Sequence, residues 1–226
     1  MITNQMAAQL ACLDIYDPIT PGVFHQVIRV GETVCGTTLI DGTFYIVNQG
    51  TETAEGWEAD FDAEPIAHPV LGQLHSGFDK NLPALMVQLL ATIPLNAPVI
   101  VTGHSKGAAE GAILAARLTL ACVHVTRCIL FACPNAGFAP FANWLNLHVP
   151  GVSYRNAPSS LSFFGDPVPL VPTSPYVPPY PHTKITEIPD GLDRLISVMW
   201  HEGKYYARAF EQQPSPNATK NAANNE

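Results

Sequence analysis

Three short β-rich runs, VFHQVIRV, TVCGTTLI and TFYIVNQ, fill residues 23–49 and are separated by Gly31-Glu32 and Asp41-Gly42. Asp-Gly between two alternating apolar runs is the signal of a two-residue hairpin. A short helix is predicted ahead of them, over residues 5–16. LPALMVQLLATI (82–93) has helical apolar spacing, and Pro83 is tolerated because it falls in the first turn. After that the pattern alternates. The strand PVIV leads into a helix after Ser105, the strand RCILFAC precedes a short helix FAPFANWLNL, and a strand near SLSFF (160–164) follows. Strands alternating with helices predict an α/β fold, a mostly parallel sheet covered on both faces. DPVPLVPTSPYVPPYPH is too rich in proline for a regular element and reads as a stiff connection. HTKITEI is the expected last strand, followed by a helix around LDRLISVMWHEGKYYARAFEQ. One domain is expected over residues 1–212, with the polar tail 213–226 (QPSPNATKNAANNE) disordered.

Composition narrows the function classes. With 47% hydrophobic and 13% charged residues among 226, the chain has ample material for a core. A formal charge of −8 argues against nucleic acid or an anionic membrane surface as a partner. The five cysteines lack Cys-x-x-Cys spacing and sit mostly in apolar runs, so they read as buried thiols. No stretch approaches the roughly 18 uninterrupted apolar residues of a membrane span, so stable membrane insertion is not expected. The first basic residue is Arg29 and no apolar leader precedes it. The expected location is therefore cytoplasmic, with secretion by an unrecognised route left open.

The corner between PVIV and the next helix, Gly103-His104-Ser105-Lys106-Gly107, carries the chemistry. Gly-x-Ser-x-Gly between a strand and a helix fits a nucleophile elbow, where a sharp turn projects the serine hydroxyl above the sheet. The glycines are needed because a side chain at either position would collide with a neighbouring element. Ser105 then lies at a helix N-terminus, which favours developing negative charge. Other readings fail. A phosphate loop ends in Gly-Lys-Ser/Thr, whereas here the order is Ser-Lys-Gly, and HEGKY (201–205) has tyrosine where a zinc-binding His-Glu-x-x-His needs its second histidine. No metal and no organic cofactor are expected. Serine needs a base and an orienting acid, in the chain order Ser, Asp, His. Asp166, in SFFGDPVP, is the best acid. His182 and His201 both follow it, and His201 lies on the elbow's side of the sheet if the last strand is parallel to the others.

In their order these motifs resemble the class 3 (fungal-type) lipases of the α/β-hydrolase fold. The likeness spans most of residues 5–210. AAQLACLDIYD is similar to that family's opening helix, and YIVNQGTETAEGWEADFD to its strand, Arg-Gly-Thr turn and Trp-x-x-Asp segment. HSGF (75–78), FACPNAGFAPFANWLN and YRNAPSSLSFFGDPVPLVP each have a counterpart as well. The resemblance implies a serine ester hydrolase with Ser105 as nucleophile, Asp166 as acid and His201 as base. It also implies an oxyanion hole of the Lys106 backbone N–H and Thr51, and a small-molecule ester or lipid substrate. It makes His182 a site-lining residue. Tyr176 and Tyr180, in the proline-rich stretch, and His104, beside the nucleophile, complete the candidate lining. An acyltransferase or thioesterase with the same triad, or a silent hydrolase-like binding module, are the alternatives.

Several residues depart from the family pattern. Gln49 stands in place of the turn arginine, and Ala108 where a second glycine is common. Lys106 replaces a leucine; a cation at a helix N-terminus opposes the dipole, and it is expected either to pair with an acid of residues 52–64 or to stay exposed and solvated. That segment carries six carboxylates against only two large apolar side chains, Trp57 and Phe61. Burying such charge in lipid is costly, so a small or absent interfacial lid is expected, with short-to-medium acyl esters preferred.

Overall fold

A computed structural model describes residues 4–17, 22–51, 64–157, 165–187 and 201–211. Helix α1 (Asn4–Cys12) ends in a single 3-10 turn at Asp14–Tyr16. Strands β1 (Gln26–Val30), β2 (Thr33–Ile40) and β3 (Thr43–Asn48) form an antiparallel meander. Asp41 (φ 47°) and Gly42 (φ 77°) are both left-handed, as the tight hairpin between β2 and β3 requires. Strand β6 (Val99–His104) then pairs parallel to β3, and β7 (Val125–Phe131), β8 (Gly151–Asn156) and β9 (His182–Ile185) continue in the same sense. The sheet order is β1-β2-β3-β6-β7-β8-β9. A separate hairpin, β4 (Pro65–His68) and β5 (Gly72–His75), leads into the short helix α2 (Ser76–Asp79) and then α3 (Leu82–Leu90). The remaining helices are α4 (Lys106–Leu120), α5 (Ala139–His148) and α6 (Gly203–Glu211).

The period of two along each central strand divides its side chains between two cores. Phe44, Ile46, Val99, Val101, Cys128 and Leu130 face one side, where α2 to α5 supply Phe78, Leu85, Ile113 and Phe141. Tyr45, Val47, Ile100, Ile129 and Phe131 face the other, covered by Ala7, Leu10 and Ala11 of α1 and Tyr206 and Phe210 of α6. Strands buried on both faces read as continuous apolar runs, which is why VIV and CILF were legible. Each fully buried leucine or phenylalanine contributes about 1.5–3 kcal/mol. Small residues at 108, 109, 112, 115 and 116, all buried, let α4 lie close against the sheet.

Some expectations need correction. The strand that follows α5 is GVSYRN (151–156); the SLSFF segment lies outside the described residues. The β4–β5 hairpin was not expected, because Pro65, His68, Pro69 and Gly72 break any strand pattern. Of the helix expected from Leu192 to Gln212, only Gly203–Glu211 falls within the described residues. The acidic stretch 52–63 and the tail 213–226 lie outside them too.

Candidate active site

Ser105 is wedged between β6 and α4 with φ 58° and ψ −132°, a backbone conformation that a non-glycine residue holds only under constraint from its surroundings. That constraint is visible. Its N–H donates to the Phe131 carbonyl at 3.0 Å, and its carbonyl accepts from the Ala108 N–H at 2.8 Å. A Cβ on Gly103 would meet the Gly107 carbonyl oxygen at 2.3 Å, and one on Gly107 would meet the Asn48 oxygen at 2.3 Å. The start of α4 is thus pressed against the end of β3. Gly50, in the turn that follows, lies so close that a Cβ there would stand 2.6 Å from the His104 oxygen and 3.0 Å from the Ser105 Cβ. Gln49-Gly50-Thr51 and the elbow therefore share one small volume. The Lys106 amide beside them belongs to the first helical turn, whose N–H groups have no intrahelical acceptor.

At the carboxyl end of β8, Asp166 is held by its backbone and its side chain alike. Its N–H donates to the Asn156 oxygen (2.8 Å), and its own oxygen accepts from Arg155 Nε (3.0 Å). The carboxylate is fully buried; Oδ1 accepts from the Val168 N–H at 2.9 Å, and Oδ2 faces His201 Nδ1 at 2.9 Å. Oδ2 also accepts from the Tyr206 hydroxyl at 2.5 Å, and that hydroxyl accepts from the Asn156 N–H. Burial alone would push the Asp166 carboxyl up. The positive charge His201 carries when protonated, hydrogen bonds from His201 and Tyr206, and the Val168 N–H outweigh it and hold the group below its ordinary value. Strand β9 is parallel to β8, and the His201 ring lies 4.8 Å between centroids from that of His104, the residue before Ser105. The structure thus brings the elbow, His201 and Asp166 together.

Other candidates are placed differently. His104 is buried with both ring nitrogens engaged inside the fold, Nδ1 by the Tyr16 hydroxyl at 2.9 Å and Nε2 by the His201 carbonyl at 2.9 Å, so it does not line a pocket. Tyr180 is 2% exposed, bonds the Val149 carbonyl and packs on Gly151, the first residue of β8, at the opposite end of that strand from Asp166. Its expected lining role is corrected to a core one, because its large ring fills the space above a glycine. His182 bridges Ser153 and the Pro169 carbonyl, supporting the turn after Asp166 rather than competing as a base. Tyr176 packs against His75 and Phe138 in a half-buried aromatic group. Among the described residues Lys106, 8% exposed, lies 3.7 Å from Glu32 of the β1–β2 turn and 4.0 Å from Glu110 of its own helix; the expected acidic partners at 52–63 lie outside the described residues. Among the described residues no group of three His, Cys, Asp or Glu side chains is arranged to hold a metal ion. Two residues that sequence reasoning gave no role, Tyr16 and Tyr206, join the site through their hydroxyls.

A mostly parallel sheet with a strained Gly-x-Ser-x-Gly corner and an Asp–His pair at its carboxyl edge defines an α/β-hydrolase of the serine type. The family model for Lipase (class 3) matches residues 45–175. The chain belongs to that family and is a serine ester hydrolase. Among solved structures it is similar to the triacylglyceride lipase of Rhizomucor miehei, with 19% identity over 81% of this chain and 79% of that one and a TM-score of 0.64. A triacylglycerol lipase whose catalytic centre is a serine protease triad aligns over 83% of this chain and 80% of that one, with 18% identity and a TM-score of 0.64. The lipase of Rhizopus microsporus var. chinensis aligns over 81% and 71%, with 20% identity and a TM-score of 0.59. No curated protein sequence matches the chain.

Proposed function

We propose that Ser105, His201 and Asp166 act as the catalytic triad of an esterase that prefers dispersed, short-to-medium acyl esters. The observation that carries this reading is the 2.9 Å contact between His201 Nδ1 and Asp166 Oδ2 beside the strained Ser105 corner. A carboxylate accepts there, so Nδ1 carries the proton and Nε2 is the basic nitrogen. His201 Nε2 takes the Ser105 proton as Oγ bonds to the ester carbonyl carbon. The resulting oxyanion is met by the backbone N–H groups of Lys106 and Thr51. Each such donor is worth about 3 kcal/mol in measured enzymes. Collapse breaks the bond to the alcohol oxygen, which leaves with the proton from His201. Water then repeats the sequence on the acyl-enzyme and restores the serine. The close packing of Gly50 on Ser105 Cβ supports Thr51 as the second donor.

Substrate preference follows from charge. Residues 52–64 hold six carboxylates and no base, which disfavours contact with an oil surface. A panel of esters of graded acyl length tests the reading, with Ser105→Ala as control. The rate is expected to peak at short or medium chains and to rise smoothly through the solubility limit of the substrate. A jump in rate at that limit, or activity confined to long-chain emulsions, contradicts it.

A further inference from the structure

We propose that Tyr16 and His104 are positioning residues that tie the oxyanion turn to the catalytic base through one hydrogen-bonded chain. The proposal rests on the triad reading above. The Gly50 N–H lies 3.1 Å from the Tyr16 hydroxyl oxygen, that oxygen lies 2.9 Å from His104 Nδ1, and His104 Nε2 lies 2.9 Å from the carbonyl oxygen of His201. Donor chemistry fixes the direction. An amide N–H only donates and a carbonyl only accepts, so the Tyr16 oxygen accepts from Gly50 and Nε2 carries the His104 proton. A neutral imidazole protonated at Nε2 accepts at Nδ1, and Tyr16 O–H supplies that bond. Burial, with repulsion from the neighbouring His201, pushes the His104 pKa down to about 3, so the ring stays neutral.

The chain joins four segments far apart in sequence: the turn after α1, the turn after β3, the end of β6, and the start of the C-terminal segment. Gly50 immediately precedes Thr51, and the residue whose carbonyl is held is the base itself. Tyr16 and Tyr206 pack edge-on against the His104 ring at 6.0 and 5.6 Å between centroids, and the His201 ring faces it from the side of Asp166. Among the described residues these, with the Asp166 carboxylate, are the titratable groups that face or act on it. His104 therefore clamps the base loop to the residue next to the nucleophile, and Tyr16 extends the clamp to the oxyanion donors. A small displacement of either reacting group costs up to about a hundredfold in rate.

Steady-state ester hydrolysis by Tyr16→Phe, His104→Phe, His104→Gln and the double Tyr16→Phe/His104→Phe tests the chain, with the fluorophosphonate labelling rate of Ser105 measured alongside. Tyr16→Phe removes one oxygen atom and is expected to lower kcat about tenfold or more with KM little changed. His104→Phe is expected to lose at least as much. His104→Gln, whose amide both accepts and donates, is expected to recover part of the loss. The double variant is expected to be no worse than His104→Phe, because one broken link already opens the chain. In nitrogen NMR the His104 ring is expected to remain the neutral Nε2–H form from pH 5 to pH 8. A Tyr16→Phe kcat within twofold of the parent, multiplicative losses in the double variant, or a His104 ring that titrates near neutrality overturns the proposal. If His104→Phe fails to fold, Tyr16→Phe and the NMR signature decide. Absence of a Ser105 adduct in the parent protein refutes the triad reading, whereas equal labelling of the parent and Tyr16→Phe refutes only the positioning chain.

Discussion

Tyr206 donates its hydroxyl hydrogen to Asp166 Oδ2 at 2.5 Å, and His201 Nδ1 reaches the same oxygen at 2.9 Å. The fully buried carboxylate is thereby held from two sides, with the Val168 amide on its other oxygen. Tyr206 is also tied to the sheet, since its oxygen accepts from the Asn156 N–H at 2.9 Å. One phenol thus fixes the acid relative to β8 and to α6.

Tyr206→Phe is expected to destabilise the protein by about 2–4 kcal/mol, because it removes a hydrogen bond to a buried charge and takes the hydroxyl acceptor from a buried amide. Urea denaturation at pH 7 measures this. The Asp166 pKa is lowered in the folded protein, so its contribution to stability is present above the ordinary carboxylate value and is lost as pH falls through the folded one. Removing the Tyr206 bond makes that lowering smaller, so the variant should lose less when acidified further.

Asp166→Asn keeps the shape of the carboxyl group but removes the charge that stabilises the imidazolium. A fall in kcat of about 10³–10⁴-fold with little change in KM is expected, by analogy with other serine triads. Circular dichroism of the variant should match that of the parent.

The contrast between Lys106 and Glu32 gives a graded test. Lys106→Leu leaves the buried Glu110 carboxylate, 1% exposed, without the cation 4.0 Å away, and a loss of about 3 kcal/mol is expected. The Glu32 side chain is 67% exposed, and its carboxyl is held below the ordinary value chiefly by the hydrogen bond from Lys80, then by the charges of Lys80 and Lys106. Glu32→Gln should therefore cost well under about 1 kcal/mol and lose its effect in high salt. Equal costs for the two substitutions would contradict the asymmetry.

How much of this was legible in the sequence depends on where the partners of each residue lie. β3, β6, β7 and α4 could be read because their apolar residues repeat locally, and Gly42, Gly50, Gly103 and Gly107 mark the turns beside β3, β6 and α4. β8 could not. Ser153, Arg155 and Asn156 look like loop residues, yet they are buried in the strand because their bonds go to His182, the Asp166 carbonyl and the segment around Glu187. Ser105, Asp166 and His201 were legible as an ordered trio with a motif around the first. Tyr16 and Tyr206 carry no local signal, since each gains its role only when segments distant in sequence meet at its hydroxyl. His104 was read as pocket lining for the same reason: its neighbours in sequence reveal neither Tyr16 nor the His201 carbonyl.

Acid should weaken the fold through His104. Its folded pKa, about 3, lies below the ordinary 6.5, so the unfolded chain binds the extra proton between these values and stability falls as pH drops below 6.5. At pH 4.5 the contribution lost amounts to about 3 kcal/mol, at about 1.4 kcal/mol per unit. Urea midpoints from pH 7 to pH 4.5 should fall more steeply for the parent than for His104→Gln. Parallel slopes would mean that the imidazole protonates as readily in the folded state as in the unfolded one.

The most direct measurement is covalent. The parent protein, Ser105→Ala and His201→Ala are each treated with a fluorophosphonate, and the adduct is located by mass spectrometry. A strained serine next to His104, whose ring packs on the aspartate-held imidazole of His201, predicts one adduct, on Ser105. That adduct should vanish in Ser105→Ala and form at least about a thousandfold more slowly in His201→Ala. An adduct on another residue, or one that forms equally fast without the imidazole, contradicts the account.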